Sequence, residues 1–359
     1  MIIQSIKLFK YSLPLTKKLQ LGQSEINTRE GYLIEISSDS NIKSISEIAP
    51  LPFFSIESLE DVIHEVAMFK NKFVNQSVPP DILTQLSTYC PSVRFGIESA
   101  FLQLTAKSKE LSLVELLHPN AKQIISVNAL LVGDKNEIIK RATLLYEKGY
   151  CAFKIKIGRN SIQDDIEIVT TVRKIVGNDS KIRLDANRAY DVESTQSFFD
   201  KVQSMDIDYI EEPFQTFEML ADYLQTPNNQ MPLALDESLT LMNPEDLNQL
   251  YSLKAIVLKP MLLGYTNSMM FAKKAFALGI QPVISSSFET SIGTYILASM
   301  GAIIDTTIPI GVDTLAWFQN DVVSKQIEII HGRIDLKNHI DIDTVLDYTK
   351  LTEVDLDNK

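Results

Sequence analysis

Cysteine is nearly missing from this 359-residue chain: Cys90 and Cys151 stand alone, in no metal-binding or redox spacing, and read as buried free thiols in a reducing cytosol. Histidine is almost as scarce. His64, His118, His331 and His339 read as surface or structural residues, and His64-Glu-Val-Ala-Met lacks the second histidine of a zinc-protease motif. There is no glycine-rich phosphate loop and no apolar run long enough to span a membrane. The start, Met1-Ile-Ile-Gln-Ser-Ile-Lys7, lacks a signal-peptide layout, so the expectation is a soluble, cytoplasmic protein. Basic excess is also lacking. Lys and Arg total 34 against 46 Asp and Glu, a net charge of −12 that argues against nucleic acid or an anionic membrane as partner. The hydrophobic content of 45% is ordinary for a globular chain, and the length suggests one large domain with a smaller companion.

What the chain does have is a repeated strand pattern. In Phe153-Lys154-Ile155-Lys156-Ile157-Gly158 the two lysines share one face and the apolar residues the other. Four later runs repeat the arrangement. Asp185 lies opposite Ile182 and Leu184, Glu211 opposite Ile210, Asp236 opposite Leu233 and Leu235, and Lys259 opposite Ile256 and Leu258. The charged residues recur at intervals of 23 to 29 positions, the length of one strand, one helix and two loops. Helix-like segments such as 162–176 and 266–278 fill the gaps. Alternation of this kind implies parallel strands covered by helices, closed into a (β/α) barrel whose C-terminal strand ends carry the chemistry. The five charges then converge on one mouth.

Along the chain, 3–11 and 30–37 read as strands, with Thr16 to Arg29 between them as a long polar flap. A Pro-punctuated loop, Ser46 to Ser55, exposes aromatic and aliphatic groups, and helices follow over 58–73 and 92–117. The first barrel strand is expected over 124–131, its helix over 134–148 with Gly149 as C-cap, the seventh strand over 281–287, and an eighth element around 308–314. Strand-like runs at 326–330 and 340–342 exceed what the barrel needs and are expected to return to the N-terminal unit. The division is thus 1–120, an α+β unit; 121–318, the barrel; and 319–359, the returning segment.

Asp185, Glu211 and Asp236 on neighbouring strands make an all-oxygen site for a hard divalent cation, Mg²⁺ by preference. Without one, two carboxylates about 4 Å apart repel by roughly 4 kcal/mol at an effective dielectric of 20. Lys156 and Lys259 would flank a ligand on that cation. A lysine beside a cation has its ammonium form disfavoured and its pKa lowered, which makes it a usable base for a proton α to a carboxylate. Lys154, one step deeper, and Arg183 read as supporting groups that orient or balance charge. Ser285 to Ser287 at a strand end either bind a substrate carboxylate or cap the helix beginning near Thr290.

Lys154-X-Lys156, Leu184-Asp-Ala-Asn187, Ile210-Glu-Glu-Pro213, Leu235-Asp-Glu-Ser238 and Leu258-Lys-Pro260, in this order, resemble the enolase superfamily and its muconate-lactonising subgroup. Within it the chain is most similar to the o-succinylbenzoate synthases, through Ser46-Glu-Ile-Ala-Pro-Leu-Pro52, Ser92-Val-Arg-Phe-Gly-Ile-Glu-Ser-Ala100, Arg183 to Tyr190, Pro282 to Gly293 and Gly311-Val-Asp-Thr-Leu315. The resemblance implies a modified (β/α)₇β TIM-type barrel beneath an α+β capping domain that the C-terminal segment completes. It implies Mg²⁺, with Mn²⁺ as substitute, on Asp185, Glu211 and Asp236. It further implies syn-dehydration of a hydroxylated, succinyl-bearing cyclohexadiene carboxylate in menaquinone biosynthesis. Lys156 would be the base and then the acid, Lys259 the electrostatic partner, and Ser285, Ser287 and Gly311 would hold the succinyl carboxylate. Phe53 departs from the glycine that the family's capping loop commonly carries. Other chemistries on the same scaffold are N-acylamino acid racemisation, dipeptide epimerisation and cycloisomerisation. A non-catalytic barrel is disfavoured, because unused buried charges are costly.

Overall fold

Alternation of apolar and polar residues carries the first strands far beyond the expected ends. The computed structural model describes residues 1–21, 24–159, 161–225, 231–337 and 342–357, the side chains of 342 and 343 excepted. In it β1 (Ile3–Leu21) and β2 (Ser24–Ser38) form one long antiparallel hairpin, and β3 (Lys43–Ile48) adds to β2. The expected flap at Thr16–Arg29 is therefore the far end of this hairpin. Leu13, Leu15, Leu19 and Leu21 are all buried, and that apolar face holds the ribbon against the rest of the protein. Three helical segments follow: α1 (Leu59–Phe73), α2 (Ile82–Gln85) and α3 (Pro91–Lys107). Ser58 and Asp61 close a capping box at the start of α1. Ile34, Ile36, Val66, Phe69, Ile97 and Phe101 form the core between sheet and helices. A short α4 (Leu113–Leu117) ends the unit.

The first barrel strand, expected as one run over 124–131, is split. β4 (Ile124–Ser126) pairs antiparallel with Arg333–Asp335, whereas β5 (Ala129–Leu131) joins the barrel sheet. The break falls where Val127 and Asn128 bond to Gly332 and Ile310. The alternation of α5 (Lys135–Glu147), β6 (Ala152–Lys156), α6 (Ile162–Val176), β7 (Lys181–Asp185), α7 (Val192–Val202), β8 (Ile207–Glu211), α8 (Phe217–Leu224), β9 (Leu233–Leu235) and β10 (Ala255–Leu258) follows. After it come α9 (Pro260–Leu263), α10 (Tyr265–Ala277), β11 (Gln281–Ile284) and α11 (Ser291–Ile304). The seven strands are parallel and lie in the order β11-β10-β9-β8-β7-β6-β5. Residues 308–314 supply single bridges rather than a strand: Gly311 pairs with Ser285 and Ile310 with Val127, which closes the curled sheet. Tyr209, Ala234, Ala255, Val257, Val283 and Ile308 fill the interior beneath the mouth.

The expected strand at 326–330 does not form. Ile327 N–H donates instead to Ser291 Oγ, and only Ile330 bridges to Arg333, at the start of β12 (Arg333–Asp335). Of the expected strand at 340–342, residues 340 and 341 lie outside the described residues, and Ile342 opens a short α12 (Ile342–Val345). The chain then returns to the N-terminal sheet, where β13 (Thr352–Glu353) pairs antiparallel with β1 at Phe9 and Lys10. Among the described residues no helix is long and apolar enough to cross a membrane. His64, His118 and His331 are exposed; His339 lies outside the described residues.

The N-terminal unit docks on the barrel through buried carboxylates at helix N-termini, where free N–H groups and the helix dipole favour negative charge. Glu47 of β3 accepts hydrogen bonds from Thr290 N–H, Thr290 Oγ1 and Gly293 N–H at the start of α11, and from the Tyr11 hydroxyl. Glu98 of α3 accepts from Thr266 N–H in the first turn of α10. Burial pushes the Glu47 carboxyl up from 4.5 to about 7, against the pull of Thr290 and Tyr11. A carboxyl raised in this way binds its proton more tightly folded than unfolded. Its stabilising contribution is full below the unfolded value and is lost as pH rises through about 7. The Tm difference between wild type and Glu47→Gln should therefore shift against the wild type from about pH 5 to about pH 8. A difference independent of pH would contradict this.

The expectation of two buried thiols is not met: Cys90 is half-buried and Cys151, the residue before β6, is exposed. Burial, with the Glu65 carboxylate beside it, pushes the Cys90 thiol up to about 12. Iodoacetamide at about pH 8 should alkylate Cys151 in the native protein and Cys90 only after denaturation, read by peptide mass. Equal rates at both would overturn the assignment.

Candidate active site

Parallel register brings the charged residues level. Lys156 of β6 pairs with Asp185 of β7, which pairs with Glu211 of β8; Lys154 pairs with Arg183 one step deeper. Asp236 follows the last residue of β9, and Lys259 follows β10. Their carboxylates and amines meet at the C-terminal ends of the strands. Asp185, Glu211 and Asp236 each offer an oxygen within 4.8 Å of the others, and all three are buried.

Each carboxylate also has an amine. Lys156 Nζ lies 2.6 Å from Asp185 Oδ2 and donates to Asn187 Oδ1 at 2.7 Å. Lys154 Nζ, itself buried, bridges Asp185 at 2.8 Å and Glu211 at 2.5 Å. Lys259 Nζ lies 2.6 Å from Asp236 Oδ2 and 6.0 Å from the Phe54 ring centre. Ion pairs and an oxygen set suited to a cation therefore coexist in one cluster. Glu211 Oε1 favours the cation: it is buried with no hydrogen-bond partner among the described residues. The donor set is all oxygen, which suits a hard divalent ion that the three residues could hold together.

Burial opposes charge on all three carboxylates, and the amines decide the outcome. Asp185, facing both Lys154 and Lys156, is held well below the usual carboxylate range. Glu211 has only Lys154 and is repelled by Asp185 and Asp236; burial takes it up to about 8. For Lys259 the lowered pKa expected from sequence is not what carboxylates alone produce. Burial would lower Lys259, but Asp236 and Glu237 outweigh it and hold its ammonium well above the ordinary lysine value. Lys154 is raised in the same sense, by Asp185 and Glu211 against burial.

Arg183 does not support the carboxylates directly. Its guanidinium turns below them to Asp208, Asn128 Oδ1 and the Pro309 carbonyl, over the Tyr209 ring. Sequence reasoning passed over Asn187, which holds Lys156 and donates to Glu237, and Glu212, which accepts from Asp236 N–H, Ser238 N–H and Ser238 Oγ. Positive φ at both (44° and 38°) marks them, a backbone strain invisible in the letters. Gly158, at φ +79°, packs so tightly on Ala189 and Ala186 that no side chain fits there.

A cavity of about 1220 Å³ opens above the lysines. Lys17 to Leu21, Leu51, Phe53 and Phe54 line it from the N-terminal unit; Lys156, Lys259, Ser285, Ser287 and Gly311 line it from the barrel. The helix-capping role left open for the serines belongs to Thr290, whose side chain accepts from Ile292 N–H. Ser285 Oγ donates to the Gly311 carbonyl, and Ser287 Oγ is buried with no partner among the described residues.

Two families match the chain: "MenC, N-terminal domain" over residues 3–104 and "Enolase C-terminal domain-like" over residues 137–340. The o-succinylbenzoate synthase of Pasteurella multocida is 30% identical over 332 residues, covering 90% of this chain and 92% of that protein. Protein PHYLLO, chloroplastic, of Arabidopsis thaliana is 29% identical over 82% of this chain, which spans 19% of its length. Among solved structures, a substrate-liganded complex of the L-Ala-D/L-Glu epimerase from Bacillus subtilis superposes with TM-score 0.83 at 24% identity, covering 93% of this chain and 96% of that one; it speaks to the fold alone. With a matched barrel over more than half its length and synthases aligned almost end to end, the chain belongs to the o-succinylbenzoate synthase family of the enolase superfamily.

Proposed function

We propose that the protein converts 2-succinyl-6-hydroxy-2,4-cyclohexadiene-1-carboxylate to o-succinylbenzoate and water, as a step of menaquinone biosynthesis. The observation that carries this reading is the placing of Lys156 and Lys259 on either side of three buried carboxylates, all beneath one cavity. Asp185, Glu211 and Asp236 would hold Mg²⁺. When bound, that cation supplies electrophilic stabilisation of negative charge on the substrate carboxylate.

Lys156, as the free amine, takes the proton from the carbon bearing the carboxylate. The electron pair of that C–H bond moves into the ring system and then expels the hydroxyl. Lys156 returns the same proton to the departing oxygen, so water leaves, the lysine is regenerated and the ring becomes aromatic. Asn187 and Asp185 orient the amine for both transfers. Lys259, fixed by Asp236, supplies positive charge to the anion between the two transfers. Ser285, Ser287 and Gly311 face the same cavity and would receive the succinyl carboxylate. In this reading residues 1–120 are the cap, 121–318 the catalytic barrel, and 319–359 the tie between them.

Lys156→Ala, in protein that remains folded, should lower kcat by roughly 10²–10⁴, the range of a lost general base. Near wild-type turnover to o-succinylbenzoate would remove Lys156 from the chemistry. A chelator should abolish turnover and added Mg²⁺ restore it; activity indifferent to chelator would refute the metal assignment. Should wild type racemise N-succinyl amino acids and leave the cyclohexadiene untouched, the function passes to a racemase on the same scaffold.

A further inference from the structure

Arg29 is a charged side chain that the proposed chemistry leaves unused, and it is 1% exposed. A buried guanidinium is costly unless its donors are satisfied. Here they go to five main-chain carbonyls. Nη1 donates to Glu30 and Pro50, each at 2.8 Å; Nη2 donates to Ala49 and, at 3.4 Å, to Ser287; Nε donates to Phe288 at 3.2 Å. These carbonyls belong to three different walls of the cavity. Arg29 sits on the hairpin whose Leu19 and Leu21 line it. Ala49 and Pro50 lead into the loop that presents Leu51, Phe53 and Phe54. Ser287 and Phe288 belong to the strand-end turn that also presents Ser285.

That turn is held from its other side as well. Glu289 accepts from Ser286 Oγ and Ser287 N–H, with Arg29 close enough to act on its charge, and Glu47 pins Thr290. Phe288 has φ +64°, a conformation that a bulky residue keeps only where its surroundings fix it. Two stretches that carried the family resemblance, 46–52 and 282–293, thus meet at one guanidinium.

We propose that Arg29 is a positioning residue that locks hairpin, capping loop and strand-end turn into a single cavity wall, and so governs how firmly substrate is held. The inference rests on the proposed dehydration, because the cavity it shapes is the one assigned to that substrate. Lysine cannot replace it: an ammonium offers a point charge, whereas this site needs a planar fork reaching carbonyls on both sides.

The test compares wild type, Arg29→Lys, Arg29→Met and Val66→Ala, the last a core variant of the N-terminal unit that loosens packing away from the cavity. Two readouts are taken: kcat and KM for dehydration, and hydrogen exchange of the main-chain amides at 51–55 and 286–289. Arg29→Lys should raise KM roughly tenfold, the size of one charge-assisted hydrogen bond, with kcat within about twofold. Exchange should quicken in both segments together. Val66→Ala should lower Tm and leave KM and these amides unchanged. An unchanged KM in a folded Arg29→Lys, or equal effects in Val66→Ala, would reduce Arg29 to a general stabiliser and overturn the proposal. Should Arg29→Met not fold, Arg29→Lys alone decides. Wild type that makes no o-succinylbenzoate would defeat the functional reading, while the exchange measurement would still judge the clamp.

Discussion

Everything at the mouth of this barrel follows from forcing three carboxylates together out of water. Oxygens of Asp185, Glu211 and Asp236 lie within 4.8 Å of one another, where a pair of like charges costs about 4 kcal/mol at an effective dielectric of 20. The fold keeps them there by register. Lys156, Asp185 and Glu211 occupy matched positions on three parallel strands, and a slip of one residue would turn each to the helix side. Positive charge must offset the repulsion. Lys154 does so by bridging Asp185 and Glu211, and Lys156 and Lys259 do so on either side of the cluster; all three line the cavity.

The same economy of buried charge fastens the N-terminal unit. Glu47 and Glu98 reach helix N-termini across the interface, and Arg29 collects carbonyls from three loops. These groups lie at the interface between the N-terminal unit and the barrel and bond to main-chain groups across it, which suits a fastening. Phe53, Asn187, Glu212 and Phe288 have positive φ and lie at or beside the cavity, while others such as Asn41, Asn75 and Ser252 mark turns away from it. Phe53 takes φ 69°, a conformation that favours glycine, is 69% exposed and carries an aromatic ring at the cavity's edge.

Legibility in the sequence followed the range of the forces involved. The strand-helix alternation is local and periodic, and α6 spans Ile162–Val176 as its apolar spacing implies. The three carboxylates and two lysines were readable because each sits opposite aliphatics in its own strand. Thr16 to Arg29 is polar and so does not read as strand; pairing of Leu19 with Ile26 and Leu21 with Ser24, and the bridge from Leu15 to Phe318, make it the far end of the hairpin. Asn128 splits the first barrel strand for a partner near residue 310, a contact that no local pattern encodes. Arg183 and Arg29 show the limit most clearly. Both are arginines on strand-like segments, yet one turns beneath the site to Asp208 and Asn128, and the other reaches carbonyls more than 250 residues away.

The central claim, that these carboxylates cage one cation beneath two amines, is tested most directly by anomalous diffraction from crystals grown with Mn²⁺. The account predicts a single strong peak ligated by Asp185, Glu211 and Asp236, lost in Glu211→Gln, with Lys156 and Lys259 on either side. No peak at that position, with the lysine–carboxylate pairs intact at saturating Mn²⁺, would contradict it.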